Sequence, residues 1–396
     1  MFLDVLRRRN PALLEAAIML HQQGALPANT YALDLDAIRA NAAAFAAEAG
    51  RLGLDVFAMT KQIGRNPDAC RAIAAGGITA SVAVDMECAR AGARGGLRLG
   101  HVGHLVQVPR AEAAAAAALR PDNWTVFTLE KAREAAAASA ALGREQALLA
   151  RLFGEGDEFY PGHEGGFPAE DVLAVADRFD TLDGARFAGI TTFPALVFDH
   201  GTGTVRRTGN LATLERAAER LRSAGRTECR INAPGTTSTE ALASLASAGV
   251  AQVEPGHALT GTTPWHATRD LPELPAVCYV SEVSHLHAGR AYCFGGGLYV
   301  DPVFPAHQVQ ALVGRELSTA RLLDATLPPT QAIDYYGQLA PDAKGPAAIG
   351  DTVVFGFRAQ AFVTRAYTAG ITGLATGTPR VAGIWSADGS ATAWPN

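Results

Sequence analysis

Leu54-Asp55-Val56-Phe57-Ala58-Met59-Thr60-Lys61 is the stretch on which the fold turns. A short run of this kind, mostly apolar, reads as a buried strand, and it ends on a lysine. The chain has only three lysines, Lys61, Lys131 and Lys344; the other 31 of its 34 basic residues are arginine. Lys131 and Lys344 lie in charged or Gly/Pro-rich surroundings that read as solvent-facing. A lysine at the tip of a buried strand either pairs with a carboxylate or reacts. Desolvation disfavours its ammonium form and frees an amine for an aldehyde, a chemistry closed to arginine. A Schiff base at Lys61 is the leading expectation.

Outward from this run a rhythm of strand and helix sets in. Strands are expected at Leu54–Thr60, Gly77–Val84, Leu97–Val108, Trp124–Leu129, Gln146–Phe153, Phe187–Phe193, Glu228–Asn232 and Val250–Glu254. Ala-rich helical stretches fall between them, among them Ala111–Leu119, Leu129–Leu142, Ala169–Arg178, Leu211–Ala224 and Ser238–Ala248. Strand then helix, repeated eight times, argues for a (β/α)8 TIM-type barrel. The rival is an open doubly wound sheet, disfavoured because no Gly-rich dinucleotide loop follows the first strand. Before the barrel, residues 11–23 predict a helix behind Pro11, Tyr31–Leu35 a strand, and Asp36 a cap for the helix after it.

Beyond about Ala267 the pattern changes. Val277–Val283, Gly289–Phe294, Leu298–Val300, Ala332–Tyr336, Thr352–Phe357, Phe362–Tyr367 and Arg380–Trp385 are short strand-like runs separated by Gly and Pro. They predict a C-terminal β-rich domain. The division expected is an N-terminal helix over 1–28, a cofactor-binding barrel over 29–267 and the β-rich domain over 268–396.

Composition narrows the class further. The chain is 396 residues long, 48% hydrophobic, with a formal net charge of −5. No basic tract exceeds Arg7-Arg8-Arg9, which argues against nucleic acid as a partner. No apolar run approaches the roughly 20 residues of a membrane span. Glu15 and His21 interrupt the N-terminal apolar residues, unlike a secretory leader. Five scattered cysteines without a CxxC pair fit a cytoplasmic protein.

A barrel carries its chemistry at the C-terminal ends of its strands. The first strand ends on Lys61. The seventh runs into Asn232-Ala233-Pro234-Gly235-Thr236-Thr237-Ser238, and the eighth into Glu254-Pro255-Gly256-His257. Gly235, Thr236, Thr237 and Ser238 open a helix, where backbone N–H groups favour a phosphate. They equally fit an ordinary cap, with Ser238 or Thr237 capping and Glu240 assisting. Glu254 suits a pyridinium nitrogen, which needs an anionic partner, or is simply a loop glutamate before a turn. A Schiff-base lysine, a phosphate cup and a carboxylate for a ring nitrogen together describe pyridoxal 5'-phosphate (PLP).

With these motifs in place, the stretch from Tyr31 to about Gly261 resembles the alanine racemase-like, fold-type III PLP enzymes. The segment Tyr31–Asp36 is similar to the extended piece that precedes the barrel there. Val56–Lys61 is similar to the strand bearing the PLP lysine, and Val253–Gly261 to the last barrel strand. Phe159-Tyr160-Pro161-Gly162-His163-Glu164-Gly165-Gly166-Phe167 and Asp334-Tyr335-Tyr336 resemble the YhfX-like branch. Glu254 stands where alanine racemases have arginine, and Glu254-Pro255-Gly256 resembles the related decarboxylases. Three departures are evident. Thr192 stands where a ring-stacking histidine is common, no clear arginine follows Phe153, and His257 replaces the decarboxylase arginine.

The resemblance implies PLP on Lys61, with Gly235, Thr236, Thr237, Ser238, Glu254 and Gly256 as cofactor contacts. It implies an amino acid racemase or epimerase working through a Cα carbanion of an external aldimine, in a homodimer. A decarboxylase, a D-threonine-type aldolase or a non-catalytic PLP-binding protein are the alternatives. The last is disfavoured, because such proteins lack a β domain. Lys61 is the base on one face, and a tyrosine from the partner chain is the acid/base on the other. Tyr336 and Tyr335 are the catalytic candidates, or else an ordinary strand pair; Cys293 is weaker. His163 and Glu164, in a glycine-rich loop after strand five, are candidates for substrate contact or part of a plain connection. His101 and His104 at strand three approach a cofactor or are structural. His285 and His287 alternate along a strand, but no nearby carboxylate completes a metal set, so none is expected.

Overall fold

The computed structural model describes residues 1–305, 307–329, 331–392 and 394. The chain forms two compact units. One comprises Ala42–Thr60 and Ile73–Ala258; the other comprises Met1–Asn41, Lys61–Ala72 and the chain from Leu259 onward.

The first unit is the barrel. Its eight strand positions are Asp55–Met59 (broken into Asp55–Val56 and Ala58–Met59), Ala80–Val82, Arg98–Val102, Asn123–Val126, Gln146–Phe153, Ala185–Thr191, Arg230–Asn232 and Gln252–Val253. Every neighbouring pair is parallel. The two halves of the broken first strand pair with the eighth and second strands, so the sheet closes on itself. Phe57 carries the ladder across the break, its N–H donating to the Val253 carbonyl at 3.0 Å. All eight expected strands are present. Gln146–Phe153 has the expected bounds, because its apolar run is buried along nearly its whole length.

The intervening helices follow local rules. Leu129–Ala140 begins at Thr128, whose hydroxyl accepts the Lys131 N–H, and buries Ala132, Ala135, Ala136 and Ser139 at helical spacing. Met86–Arg94 is capped by Asp85, which accepts the Cys88 N–H at 2.7 Å. These helices place short loops at the C-terminal strand ends.

The second unit is built on a nine-stranded sheet. Its order is Arg290–Phe294, Tyr336–Leu339, Arg321–Thr326, Gln310–Gly314, Thr352–Phe355, Val277–His287, Thr30–Asp34, Tyr367–Thr372 and Arg380–Ser386. Val277–His287 also pairs with Arg290–Phe294, returning six of the strands to their start. Leu13, Leu14, Ala17 and Ile18 of helix Pro11–Gln22 pack with Ala32, Val280, Leu312, Val354 and Ile371 in its core.

Several expectations change here. Thr30–Asp34 is a member of this second sheet, antiparallel to Val277–His287 and parallel to Tyr367–Thr372. The N-terminal residues therefore fold with the β-rich unit, and the divisions expected at 28/29 and 267/268 are not those the contacts make. The N-terminus holds two helices, Phe2–Arg9 and Pro11–Gln22, the second capped by Asn10. Asp34, not Asp36, accepts the N–H groups of Asp36 and Ala37 at the start of Leu35–Arg51. Leu298–Val300 forms no strand, and Phe362 lies in a 3-10 turn, Ala361–Val363. Strands Gln310–Gly314 and Arg321–Thr326 were not anticipated. Among the described residues no helix is long and apolar enough to cross a membrane. None of the five cysteines forms a disulfide.

Candidate active site

A buried hydrogen-bond chain crosses the barrel between its strand ends. Thr191, the last residue of strand six, donates its hydroxyl to Asn232 Oδ1 at 2.7 Å. Asn232, the last residue of strand seven, donates Nδ2 to Glu254 Oε1 at 2.9 Å. His101 of strand three places Nδ1 at 2.5 Å from the same oxygen, and its Nε2 lies 2.6 Å from the Thr125 hydroxyl of strand four. The members of this chain are all buried. Glu254 Oε1 thus serves two partners, while Oε2 is buried with no hydrogen-bond partner. His104 Nε2 stands 3.5 Å from Oε2, beyond hydrogen-bonding distance for a well-formed bond.

Burial alone would push the Glu254 carboxyl up. The imidazoles of His104 and His101 and the bonds from His101 and Asn232 outweigh that and bring it down to about 2. Glu254 is therefore a buried carboxylate anion, not a loop residue in water.

The loop after strand seven is held differently from the expectation. Gly235 is required by packing: a Cβ there would fall 2.6 Å from the Leu196 nitrogen and 2.7 Å from its oxygen. The Thr236 N–H bonds to the Leu196 carbonyl and the Thr237 N–H to the Gly235 carbonyl, so these two amides are already used. The helix expected from Ser238 is a 3-10 turn, Thr239–Ala241, then the short helix Leu242–Ser247. Ser238 precedes the turn without a side-chain cap bond, and its hydroxyl is buried with no partner. The capping role is therefore not the one Ser238 performs, and its buried hydroxyl has unused hydrogen-bonding capacity. Gly256 and His257 follow Glu254 into the 3-10 turn His257–Thr260.

Lys61 follows the first barrel strand by two residues and opens the turn Lys61–Ile63. Met59, at the end of that strand, donates its N–H to the Pro255 carbonyl beside Glu254 at 2.8 Å. Lys61 is half-buried, with its Nζ 5.5 Å from the centre of the Phe362 ring; the Arg65 guanidinium stands at the same distance.

Arg151 is the site residue that sequence reasoning missed. It lies within strand five, fully buried, and burial pulls its guanidinium down to about 10 against a smaller opposing pull from Glu164. Its Nη2 donates to the His163 carbonyl at 2.5 Å, with the His104 and Phe193 carbonyls at 3.4 Å, and it lies over the Phe127 ring. The glycine-rich loop is thereby tied back to its strand. Gly166, at φ +124°, is needed there, since a Cβ would meet the Arg151 carbonyl at 2.5 Å. The signal was a lone charge inside the run Gln146–Phe153. His163 is half-buried beside Phe193, and Glu164 is exposed.

On the β-rich unit, Tyr335 and Tyr336 are exposed, 61% and 40%. Neither is inward-facing, unlike an ordinary strand pair, which turns one side chain in and one out. Tyr336 meets His285 edge-on at 4.9 Å, and Arg365 lies over the Tyr335 ring. Cys293 is buried and its thiol is pushed up to about 12, which marks it as core. His285 stacks on Tyr292 at 4.7 Å, and His287 touches the same ring.

Among the described residues one group has metal-ligand spacing: His101, His104 and Glu254, with ligand atoms within 4.8 Å of one another. A metal ligand must present a deprotonated nitrogen to the ion. In this cluster both His101 nitrogens are spent on hydrogen bonds instead, one of them to the Glu254 carboxylate.

A closed parallel barrel with polar groups at its strand ends, together with a mostly antiparallel β unit, is the architecture of alanine racemase-like enzymes. The chain belongs to that family: residues 33–264 match the alanine racemase N-terminal domain and residues 278–381 the YhfX-like C-terminal domain. It is 38% identical over 392 residues to the uncharacterized protein YhfX of Escherichia coli (strain K12), covering 98% of this chain and 99% of that one. In structure it is similar to D-threonine aldolase from Filomicrobium marinum, with TM-score 0.67 and 19% identity over 91% of this chain and 94% of that one. It is also similar to D-threo-3-hydroxyaspartate dehydratase from Delftia sp. HT23, with TM-score 0.65 and 18% identity over 90% and 97%. Alanine racemase from Corynebacterium glutamicum gives TM-score 0.59 and 15% identity over 83% and 90%. These structural likenesses concern the fold; the three proteins bear the names of three different reactions.

Proposed function

We propose that the protein is a PLP-dependent enzyme acting at Cα of an amino acid, with racemisation or epimerisation as its reaction. The observation that carries this reading is Glu254: a buried anion at a barrel strand end with one oxygen lacking a donor. A protonated pyridine nitrogen is a donor of the matching kind. The partnerless Ser238 hydroxyl suits a phosphate oxygen in the same way. Lys61, Gly235, Thr236, Thr237, Ser238, Glu254 and Gly256 would hold the cofactor. Bound there, PLP supplies an electron-withdrawing ring that eases bond breaking at Cα.

The chain's own residues divide the remaining work. Lys61 Nζ holds the cofactor and then moves a proton at one face of Cα. Tyr336 or Tyr335, supplied by a second copy of this chain, moves a proton at the other face; this makes the enzyme a homodimer. Their exposure supports the assignment, because a tyrosine buried within its own unit has no means of serving another chain. His163 and Glu164 contact substrate from a loop that Arg151 holds in place. Five cysteines without a disulfide fit a cytoplasmic setting.

Glu254 also favours a second reading. A carboxylate at the ring nitrogen keeps it protonated and deepens its electron-withdrawing character, which suits decarboxylation or D-threonine-type aldol cleavage. One assay separates these: single enantiomers of a panel of amino acids, incubated with the PLP-loaded protein in deuterated water. Racemisation gives deuterium at Cα with loss of optical activity. An amine product identifies a decarboxylase, and glycine plus an aldehyde an aldolase. Cofactor retained without turnover of any amino acid would refute the enzymatic reading.

A further inference from the structure

We infer that His101 is a positioning residue that holds Glu254 as an anion with Oε2 reserved for an outside donor, and that Thr125 supports the tautomer in which His101 does so. The inference rests on the cofactor reading above. It concerns His101 and Thr125, on strands three and four, which nothing in the proposed chemistry yet uses.

The argument runs outward from the carboxylate, which can only accept hydrogen bonds. His101 Nδ1, 2.5 Å from Oε1, therefore carries a proton. In the neutral ring Nε2 is then an acceptor, and the Thr125 hydroxyl 2.6 Å away donates to it. The alternative tautomer would face a lone pair toward the carboxylate, which excludes it, and the threonine hydroxyl supports the remaining one by donating to Nε2. Asn232 adds a second donor to Oε1, and Thr191 fixes the amide by donating to its oxygen. All the donors with good geometry converge on one oxygen. The groups facing the carboxylate are His101, His104 and Asn232, and His104 stays 3.5 Å from Oε2. The asymmetry leaves one oriented acceptor in a buried, low-dielectric setting, where a charged hydrogen bond is strongest.

The consequence lies with the partner of Oε2. A carboxylate kept anionic by His101 keeps a pyridine nitrogen protonated. Without the His101 imidazole, Glu254 keeps only His104 and Asn232 against burial, competes better for the shared proton, and the ring nitrogen holds its own less tightly. Losing one charge-assisted bond implies a fall in the ring nitrogen's proton affinity of about 10- to 100-fold, one to two pH units.

The test uses holoenzyme loaded with PLP carrying 15N in the ring, with the nitrogen shift followed against pH. Wild type is expected to keep a protonated nitrogen through neutral pH. His101→Ala should lower the midpoint by one to two units. His101→Asn, whose amide N–H takes the place of Nδ1–H, should restore it to within a few-fold. Thr125→Val, which leaves the imidazole in place, should lower proton affinity by about 2- to 10-fold. If His101→Ala does not fold, Thr125→Val and His101→Asn carry the test. Midpoints equal to wild type in every folded variant overturn the inference. Failure of the cofactor reading shows separately, as a wild type that takes up no PLP. In that event infrared titration of the cofactor-free protein decides: the Glu254 carboxyl band should emerge at higher pH in Thr125→Val than in wild type, and coincident titrations overturn the inference.

Discussion

Replacing Glu254 with glutamine tests whether the carboxylate is held as an anion. The carboxyl ordinarily titrates near 4.5 and is brought down to about 2, a displacement of about 2.5 pH units. Burial works against this displacement; His104, His101 and Asn232 produce it. Each pH unit is about 1.4 kcal/mol of preference for the ionised form, so the fold gains on the order of 3 kcal/mol from this one group. The folded value lies below the unfolded one. The stabilisation is therefore complete above about pH 4.5 and is lost as pH falls toward 2. Glu254→Gln has nearly the same shape and no charge to lose. Urea unfolding followed by circular dichroism should show wild type losing on the order of 3 kcal/mol more than Glu254→Gln between pH 4.5 and pH 2. Other carboxylates titrate in the same window, and the comparison cancels them. Parallel losses in the two proteins would refute the claim that His101, His104 and Asn232 stabilise the anion.

Lys61→Ala should take up PLP without the visible absorbance band of the lysine-bound cofactor, and borohydride should then fix no cofactor to the protein; a retained, reducible band would remove Lys61 from its role. Arg151→Met keeps volume but leaves the carbonyls of His163, His104 and Phe193 without their charged donor. It should destabilise the protein by about 2–3 kcal/mol and speed limited proteolysis within residues 154–166, and unchanged cleavage there would show that the loop holds itself. Tyr336→Phe should slow racemisation about 100-fold or more while leaving deuterium exchange into one enantiomer, with Tyr335→Phe as the control. If both variants racemise at the wild-type rate, the second acid/base lies elsewhere.

The parts legible in the sequence were those decided by neighbours along the chain. Lys61 and Glu254 end mostly apolar runs and Asn232 ends a short run before a Pro-Gly turn, so their place at strand ends followed from local pattern. Thr30–Asp34 also read correctly as a strand, but not its sheet, because its partners Val277–His287 and Tyr367–Thr372 come from the far end of the chain. His101 was recognised only as a histidine near a strand end; its importance comes from Glu254, 153 residues later. Arg151 sits inside an apolar run and reads there as a blemish, since its acceptors are backbone carbonyls that no sequence pattern announces. The phosphate loop shows the reverse. Glycine and three hydroxyls suggested donors, yet the fold consumes the Thr236 and Thr237 amides internally, and the buried Ser238 hydroxyl is left without a partner.

Stability alone does not explain the Glu254 cluster. Taking a carboxylate out of water carries a penalty of several kcal/mol, and a well-packed apolar side chain in such a place is commonly as stable or more so. Here Glu254, His101, Asn232, Thr191 and Thr125 are committed to holding one charge inside the barrel. If the purpose were structural, both carboxylate oxygens would be satisfied from within the chain, as buried polar groups generally are. Only Oε1 is. A network that saturates one oxygen and leaves the other open is what the cofactor reading requires, with the last donor coming from outside the polypeptide at a strand end of the TIM-type barrel.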